Sequence, residues 1–315
     1  MIVVTGCTGF IGFHLAERLL RNGCSVIGID CVNSYYDVNL KEDRLKILQM
    51  HKNFCFYKQD ICNYKKLEDI YKKNNITKTC HLAAQAGIRH SLTNPFDYQK
   101  SNNEGFLNMI ECCRHHSPNN FVFASSSSVY GGNKKLPFSE KDRTDMPISL
   151  YAVTKKSNEL TAHAYSHLFD MNCSGMRFFT AYGPWGRPDM ALFIFTKAIL
   201  EDRLIEVFND GKMWRNFTYI DDIIDGILLV MDNPQPYEIY NIGSDRTEPL
   251  MDLVDQIETR LGRKAKIEFK PMQLGDITRT KIDLRKISKL GYKPKHDITY
   301  GVERFIDWYK EYYKT

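Results

Sequence analysis

Met1-Ile2-Val3-Val4-Thr5-Gly6-Cys7-Thr8-Gly9-Phe10-Ile11-Gly12 is the stretch whose reading decides the fold. Its first four residues form a short apolar run, the pattern of a buried strand. Helical periodicity follows in His14-Leu15-Ala16-Glu17-Arg18-Leu19-Leu20. Between the two, Gly6, Gly9 and Gly12 permit a tight turn, close approach of a pyrophosphate and close helix-strand packing. Phosphates would sit on the exposed amides of the helix start, at Phe10, Ile11 and Gly12. A second strand, Cys24 to Ile29, ends in Asp30. That acid lies where the ribose hydroxyls of a dinucleotide are expected. No Lys or Arg stands between Asp30 and Lys41, so a 2′-phosphate lacks a nearby basic partner and NAD is favoured over NADP. Three spaced glycines alone would say little. Strand, glycines, helix, strand and terminal Asp in that order say much more.

Working outward, strands and helices alternate through the first 177 residues. Strands are predicted at 54–57, 79–82, 121–124 and 173–178, and helices at 64–73, 98–115 and 150–168. This alternation predicts an α/β fold: a Rossmann-type, doubly wound parallel sheet. Ligands on such sheets bind at the carboxyl ends of the strands, where Gly6, Asp30, Asp60, Ala83, Ser125 to Ser128 and Phe178 fall. After residue 180 the alternation breaks at the turn-rich run Tyr182 to Asp189. The expected division is a dinucleotide-binding domain over 1–180 and a smaller substrate-binding lobe over 181–315, with a return segment near 218–243.

The second informative run is Tyr151-Ala-Val-Thr-Lys155. A phenol has a reference pKa near ~10 and is a poor base at neutral pH. One helical turn from a lysine, it shares a face with an ammonium, which is expected to lower its pKa. Such a base can take a proton from an alcohol while hydride leaves the same carbon. Four serines, Ser125 to Ser128, precede this helix, and on their own they read as a polar strand-to-loop turn.

Composition sets bounds. The chain has 315 residues, 43% of them hydrophobic, enough for a sizeable core. A net charge of +5, scattered along the chain, argues against nucleic acid as a partner and would suit an anionic substrate. No uncharged run reaches the ~18 residues a membrane helix needs, and no secretory leader is read at the start. The nine cysteines form no metal-type CxxC set, and their odd number argues against a full disulfide framework. The expectation is a cytoplasmic protein with reduced thiols and no metal.

With these residues in view, the chain resembles the extended short-chain dehydrogenase/reductase superfamily, and within it the nucleotide-sugar epimerases. The likeness runs nearly the whole length. It rests on Thr5 to Gly12, His81-Leu82-Ala83-Ala84, Ser125 to Gly131, Tyr151 to Lys155 and Arg177-Phe178-Phe179. A narrower likeness, to the UDP-glucuronate 4-epimerases, rests on Gly28-Ile29-Asp30 with Tyr35 to Lys41, on Ala84 to Arg89, on Tyr182 to Ala191 and on Gly211 to Asp222.

The resemblance implies roles. Tyr151 would be the catalytic base, Lys155 would bind the nicotinamide ribose, and Ser126 would hydrogen-bond the reacting hydroxyl. Asp60 and Ile61 match positions that hold the adenine. Leu82, Ala83, Ala84, Asn102, Asn33 and Phe178 match positions around NAD. Ser127, Ser128 and Thr180, with Arg187 and Arg89, are the candidates for gripping a sugar carboxylate. Arg215, then Arg279, are the candidates for the diphosphate of a UDP-sugar, and Asp276 for the uridine ribose. Arg279 departs from the family pattern, and each arginine can also be read as a surface or ion-paired residue. The implied reaction is C4 epimerisation of UDP-glucuronate to UDP-galacturonate through a 4-keto intermediate. Relatives that dehydrate carry an Asp-Glu pair after the hydroxyl residue; Ser127 and Ser128 stand there here. Open alternatives are 4-epimerisation of another UDP-hexose or UDP-N-acetylhexosamine, decarboxylation of UDP-glucuronate, and a non-catalytic dinucleotide sensor. The family further implies a homodimer built on the 98–115 and 150–168 helices.

Overall fold

Short runs of Val, Ile, Phe and Cys, each followed by an amphipathic segment, close into one parallel sheet in this computed structural model, which describes every residue except Ser117 and Leu274. In chain order the first strands are β1 (Ile2–Thr5), β2 (Val26–Asp30), β3 (Phe54–Lys58), β4 (Lys78–His81), β5 (Asn120–Ser126) and β6 (Cys173–Phe178). A seventh strand, Tyr237–Ile242, pairs with β6, so the sheet runs Tyr237–Ile242, β6, β5, β4, β1, β2, β3. Both neighbours of β1 are parallel to it: β2 on one side, β4 on the other. The chain thus reverses its direction of travel across the sheet at β1, which opens a crevice above the carboxyl ends of β1 and β4. Helices on both faces explain why Val3, Val4, Ile27, Ile29, Phe121 and Phe123 have almost no exposed surface.

Three helices position the crevice residues. The first, α1 (Phe10–Arg21), packs Phe13, Ala16, Leu19 and Leu20 into the core and starts at Gly9 with no side-chain cap. Next, α2 (Val38–Gln49) is capped by Asp37, whose carboxylate accepts from the Asn39 amide at 3.0 Å. This helix is absent from the sequence expectations. Its buried positions, Leu40, Arg44 and Leu48, keep the four-residue spacing, but a cation occupies the middle one and hides the apolar stripe. The third, α3 (Leu150–Phe169), is started by Ser149, which accepts from the Ala152 amide at 3.2 Å. Its inner face is small and polar: Ala152, Thr154, Lys155, Asn158, Glu159, Ala162 and Ser166.

The helix expected over 98–115 is divided. Pro95–Tyr98 is one turn, Gln99–Glu104 is π-helical and Gly105–His116 is regular. The π turn has a local cause in Asn102, which is buried and turned inward: its side chain accepts from the Gln85 amide at 2.7 Å and donates to Gln85 O and Thr154 Oγ1 at 3.0 Å each.

Beyond β6 the elements are smaller. Thr180–Tyr182 pairs with Phe217–Tyr219, Leu204–Phe208 with Lys266–Lys270, and Trp214–Arg215 with Glu248–Pro249. The helix Ile220–Asp232 returns to pack on α1, with Arg18 bridging Asp221 and Asp225 at 3.2 and 3.1 Å. The last helix, Ile298–Tyr313, buries Val302, Phe305, Ile306 and Tyr309. Among the described residues no helix is long and apolar enough to cross a membrane.

Candidate active site

The strand ends gather around one cavity of about 760 Å³, within the range of small-molecule sites. Gly6, Gly9, Phe10, Ile11 and Gly12 line it, as do Asp30 and Asn33, Asp60 and Ile61, Leu82 to Ala84, Ser126, Tyr151, Lys155, Phe178, Thr180 and Arg187. These residues come from eight separate segments of the chain, most of them brought together at the carboxyl ends of the parallel strands.

The glycine loop is packed against itself. A Cβ at Gly12 would stand 2.1 Å from Gly6 O, and one at Gly6 (φ +70°) would meet Ala83 N at 2.9 Å. Bare backbone therefore faces the cavity. The first amides of α1 have no capping side chain and point at it, which suits an anionic diphosphate. Asp30 is fixed by its own neighbours: its carboxylate accepts from Thr8 N at 3.0 Å and from Val32 N at 2.8 Å. Behind the floor, the Thr5 hydroxyl accepts from the amides of Leu82 and Ala83 at 3.1 and 3.0 Å. Its proton is then directed at His81 Nδ1, 2.8 Å away. Burial, with the Lys155 charge adding to it, pushes this imidazole down to about 3, so it stays neutral and structural. Thr8 Oγ1 and Gln85 Nε2 are buried polar atoms of the cavity wall with no partner among the described residues. Size, uncapped helix start, an acid held by backbone amides and orphaned polar atoms all fit a dinucleotide.

At the other end stand Tyr151, Lys155 and Ser126. The Lys155 ammonium donates to Ala124 O at 2.9 Å and lies 5.9 Å from the centre of the Tyr151 ring. The expectation that it lowers the phenol's pKa is not met in the ligand-free chain. Burial dominates and raises the Tyr151 pKa, while the Ser126 hydroxyl and the Arg187 charge pull the other way. Lys155 is desolvated too, which pushes it down to about 8. One measurement follows. In ligand-free protein Lys155 should titrate near pH 8, against ~10.4 for a free lysine, in an isotope-edited NMR titration in which Lys155→Met identifies the signal. Between those pH values the unfolded chain holds a proton that the folded chain has released, so this group makes stability rise with pH across that window. A Lys155 signal titrating at the free-lysine value would contradict this.

Arg187 lines the cavity at the Tyr151 end and is bound to Asp189, Nε to Oδ1 at 3.0 Å and Nη2 to Oδ2 at 2.5 Å. Tyr35 donates to the same carboxylate at 3.1 Å and lies against Gly87.

Other expected residues lie outside this cavity. Asn102 does not line it; it holds the Gln85 backbone that does. Ser127 and Ser128 open the 3-10 turn Ser127–Tyr130 after β5, and Ser128 Oγ is buried without a partner among the described residues. Arg89, Arg215, Asp276 and Arg279 share a neighbouring surface. Arg89 stacks 5.0 Å over Phe208, Arg215 pairs with Asp276 at 2.9 Å, and Arg279 lies 5.3 Å over Trp214. Gly275 packs on Ile88 and the start of α3, the helix that carries Tyr151 and Lys155.

Sequence reasoning missed Lys41, Tyr36 and Gln85, all of which line the cavity. Lys41 is buried, and its ammonium bonds Asn33 O and Oδ1 at 2.6 Å each. The usable signal was the four-residue spacing of Leu40, Arg44 and Leu48, which places Lys41 on an inward edge.

Comparison with known proteins agrees with this geometry. The profile of the NAD dependent epimerase/dehydratase family matches residues 2–243. The chain is 47% identical to Protein CapI of Staphylococcus aureus over 99% of both chains. It is 43% identical to UDP-glucuronate 4-epimerase 4 of Arabidopsis thaliana, over 99% of this chain and 76% of that one. A crystal structure of UDP-glucuronic acid 4-epimerase from Bacillus cereus, in complex with UDP-glucuronic acid and NAD, superposes with a TM-score of 0.94 at 34% identity over 99% of each chain.

Proposed function

Because the chain belongs to the NAD dependent epimerase/dehydratase family, we propose that it is an NAD-dependent isomerase that inverts C4 of a UDP-sugar, UDP-glucuronate to UDP-galacturonate. The observation that carries the reading is one continuous cavity, with a dinucleotide cradle at one end and Ser126, Tyr151 and Lys155 at the other.

NAD, when bound, supplies a reversible acceptor for the C4 hydride. The chain's residues handle everything else. Tyr151 removes the proton of the C4 hydroxyl and later returns one to the C4 oxygen. Ser126, next to the phenol, steadies the charge developing on that oxygen. Lys155 holds the ribose and keeps a cation near the phenol. The 4-keto sugar turns over between the two hydride transfers, so the product is the C4 epimer and no external oxidant is consumed.

The intermediate is a β-keto acid, which loses CO2 readily unless its carboxylate is held out of line. Thr180 and Arg187, which line the cavity, form the proposed grip, with Ser127 and Ser128 held in the turn that follows Ser126. Asp189 tempers the Arg187 charge, which favours holding the carboxylate over stripping it. The nucleotide is proposed to lie on the adjoining surface of Arg89, Arg215, Asp276 and Arg279, as the junction between a dinucleotide domain (1–180, with the 218–243 return) and a substrate lobe (181–315).

Exposed Leu107, on the Gly105–His116 helix, and Val153, Leu160 and Leu168, spaced along α3, support a homodimer through these two helices. Nine free thiols suit the cytoplasm.

Incubation with UDP-glucuronate and NAD, followed by NMR of the products, tests the reading. UDP-galacturonate is the expected product. A UDP-pentose would replace this reading with a decarboxylase, and no turnover would overturn it.

A further inference from the structure

Arg44, at the middle of α2, has no exposed surface. Its guanidinium donates from Nη1 to Thr8 O at 2.7 Å and to the Tyr36 hydroxyl at 2.6 Å. From Nη2 it donates to Trp185 O at 2.5 Å and Gly186 O at 3.3 Å, while Nε has no partner among the described residues. Every acceptor is neutral, and among the described residues no carboxylate lies within 4.0 Å of it. A buried cation without an anion is costly and is rarely kept without a use.

Its surroundings say where the missing charge belongs. Thr8 is part of the glycine loop. Its carbonyl takes Arg44 and its amide takes Asp30. The other face of that loop lines the cavity, together with the positive end of α1. Two sources of positive potential therefore meet under one short segment of backbone. A second buried cation of the same helix, Lys41, lies at the same end. An anion resting on the glycine loop would offset both fields in a region of low effective dielectric.

The same guanidinium also reaches the far wall. Trp185 and Gly186 immediately precede Arg187, and Tyr36 follows Tyr35, which is bound to Asp189 beside Arg187. One planar fork thus ties the glycine loop to the two segments around the sugar-side arginine. A lysine has a single nitrogen and cannot span both.

We infer that Arg44 is the buried counter-charge of the dinucleotide diphosphate and the positioning residue that seats the loop carrying Arg187. The inference rests on the reading of this cavity as an NAD site.

The test uses the full-length protein freed of NAD, with variants Arg44→Met and Arg44→Lys. Calorimetric NAD affinity, the NAD-induced rise in melting temperature, and KM and kcat for UDP-glucuronate are measured. If wild type itself binds no NAD, the site assignment fails, whatever Arg44 does. Given wild-type binding, Arg44→Met is expected to weaken NAD by roughly 30-fold or more and to shrink the NAD-induced melting shift. Arg44→Lys should restore NAD affinity, because the charge returns, while KM for the sugar stays raised and kcat changes little, because the fork does not. Should Arg44→Met fail to fold, the Arg44→Lys split between NAD affinity and sugar KM decides alone. A purely structural arginine would lower the melting temperature of free and NAD-bound protein equally and leave the shift intact. That result, or an Arg44→Lys variant that matches wild type in both constants or loses both together, overturns the inference.

Discussion

Tyr151→Phe is expected to lower kcat for C4 epimerisation by about 10²- to 10⁴-fold and to leave NAD affinity near its wild-type value. The substitution removes one oxygen and keeps the ring. That ring packs edge-on against Tyr98, with centroids 6.1 Å apart, so the helix and its burial should survive. Nothing in the glycine cradle touches the lost hydroxyl, and Lys155 keeps its bond to Ala124 O. The loss should therefore fall on proton transfer alone. Because burial holds the free phenol above its usual range, the ligand-free site keeps it protonated at neutral pH. Steady-state rates with UDP-glucuronate, alongside calorimetric NAD binding, provide the check. A variant that turns over at the wild-type rate would remove Tyr151 from the mechanism, and one that also loses NAD would recast it as a structural residue.

Much of this site was legible in the chain because its signals are local. Gly6, Gly9 and Gly12 carry their own turn geometry, and the strand 173–178 and helix 64–73 fall where periodicity puts them. Residues that act through partners far away in sequence were harder to read. Arg44 lies on a helix that went unread, and its role shows only when Thr8, 36 residues earlier, and Trp185, 141 residues later, are seen to share it. Asn102 matched a cofactor position by resemblance, yet its amide is spent on the Gln85 backbone, and the π turn that aims it there leaves no trace in hydrophobic spacing. The direction of the Tyr151 shift depended on burial, which a sequence of helix-compatible residues does not specify. The four serines divided the same way: Ser125 and Ser126 line the cavity, with the Ser125 hydroxyl spent on Glu159 at 2.7 Å, while Ser127 and Ser128 lie in the turn beyond it.

That last bond leads to the second large effect, in the ion pair beneath the serine turn. Arg177→Met is expected to destabilise the fold by about 3–5 kcal/mol, measured by urea unfolding at neutral pH. Arg177 and Glu159 are both almost wholly buried and meet in a fork, Nε to Oε1 and Nη2 to Oε2 at 2.8 Å each. Burial pushes the Glu159 carboxyl up, but the bonds and charge of Arg177 outweigh it and hold the group below its usual range. With a depressed folded value, its contribution is present above the unfolded pKa of ~4.3 and is lost as pH falls through the folded one. Without Arg177 the burial penalty rules, and the sign reverses: the variant loses stability as pH rises through the unfolded value. Lys156, 3.2 Å from Oε2 and partly exposed, offsets only a fraction of this. The gap between wild type and variant should therefore be widest at neutral pH and narrow on acidification. Replacing both partners, as Glu159→Leu with Arg177→Met, should recover much of the loss, because no charge is then left stranded. A gap that stays constant with pH, or a double variant no better than the single, would mean that Arg177 acts by filling space and by its 3.0 Å bond to the Tyr130 hydroxyl. In that case the serine turn would owe its position to packing, and the charge pair would be incidental to it.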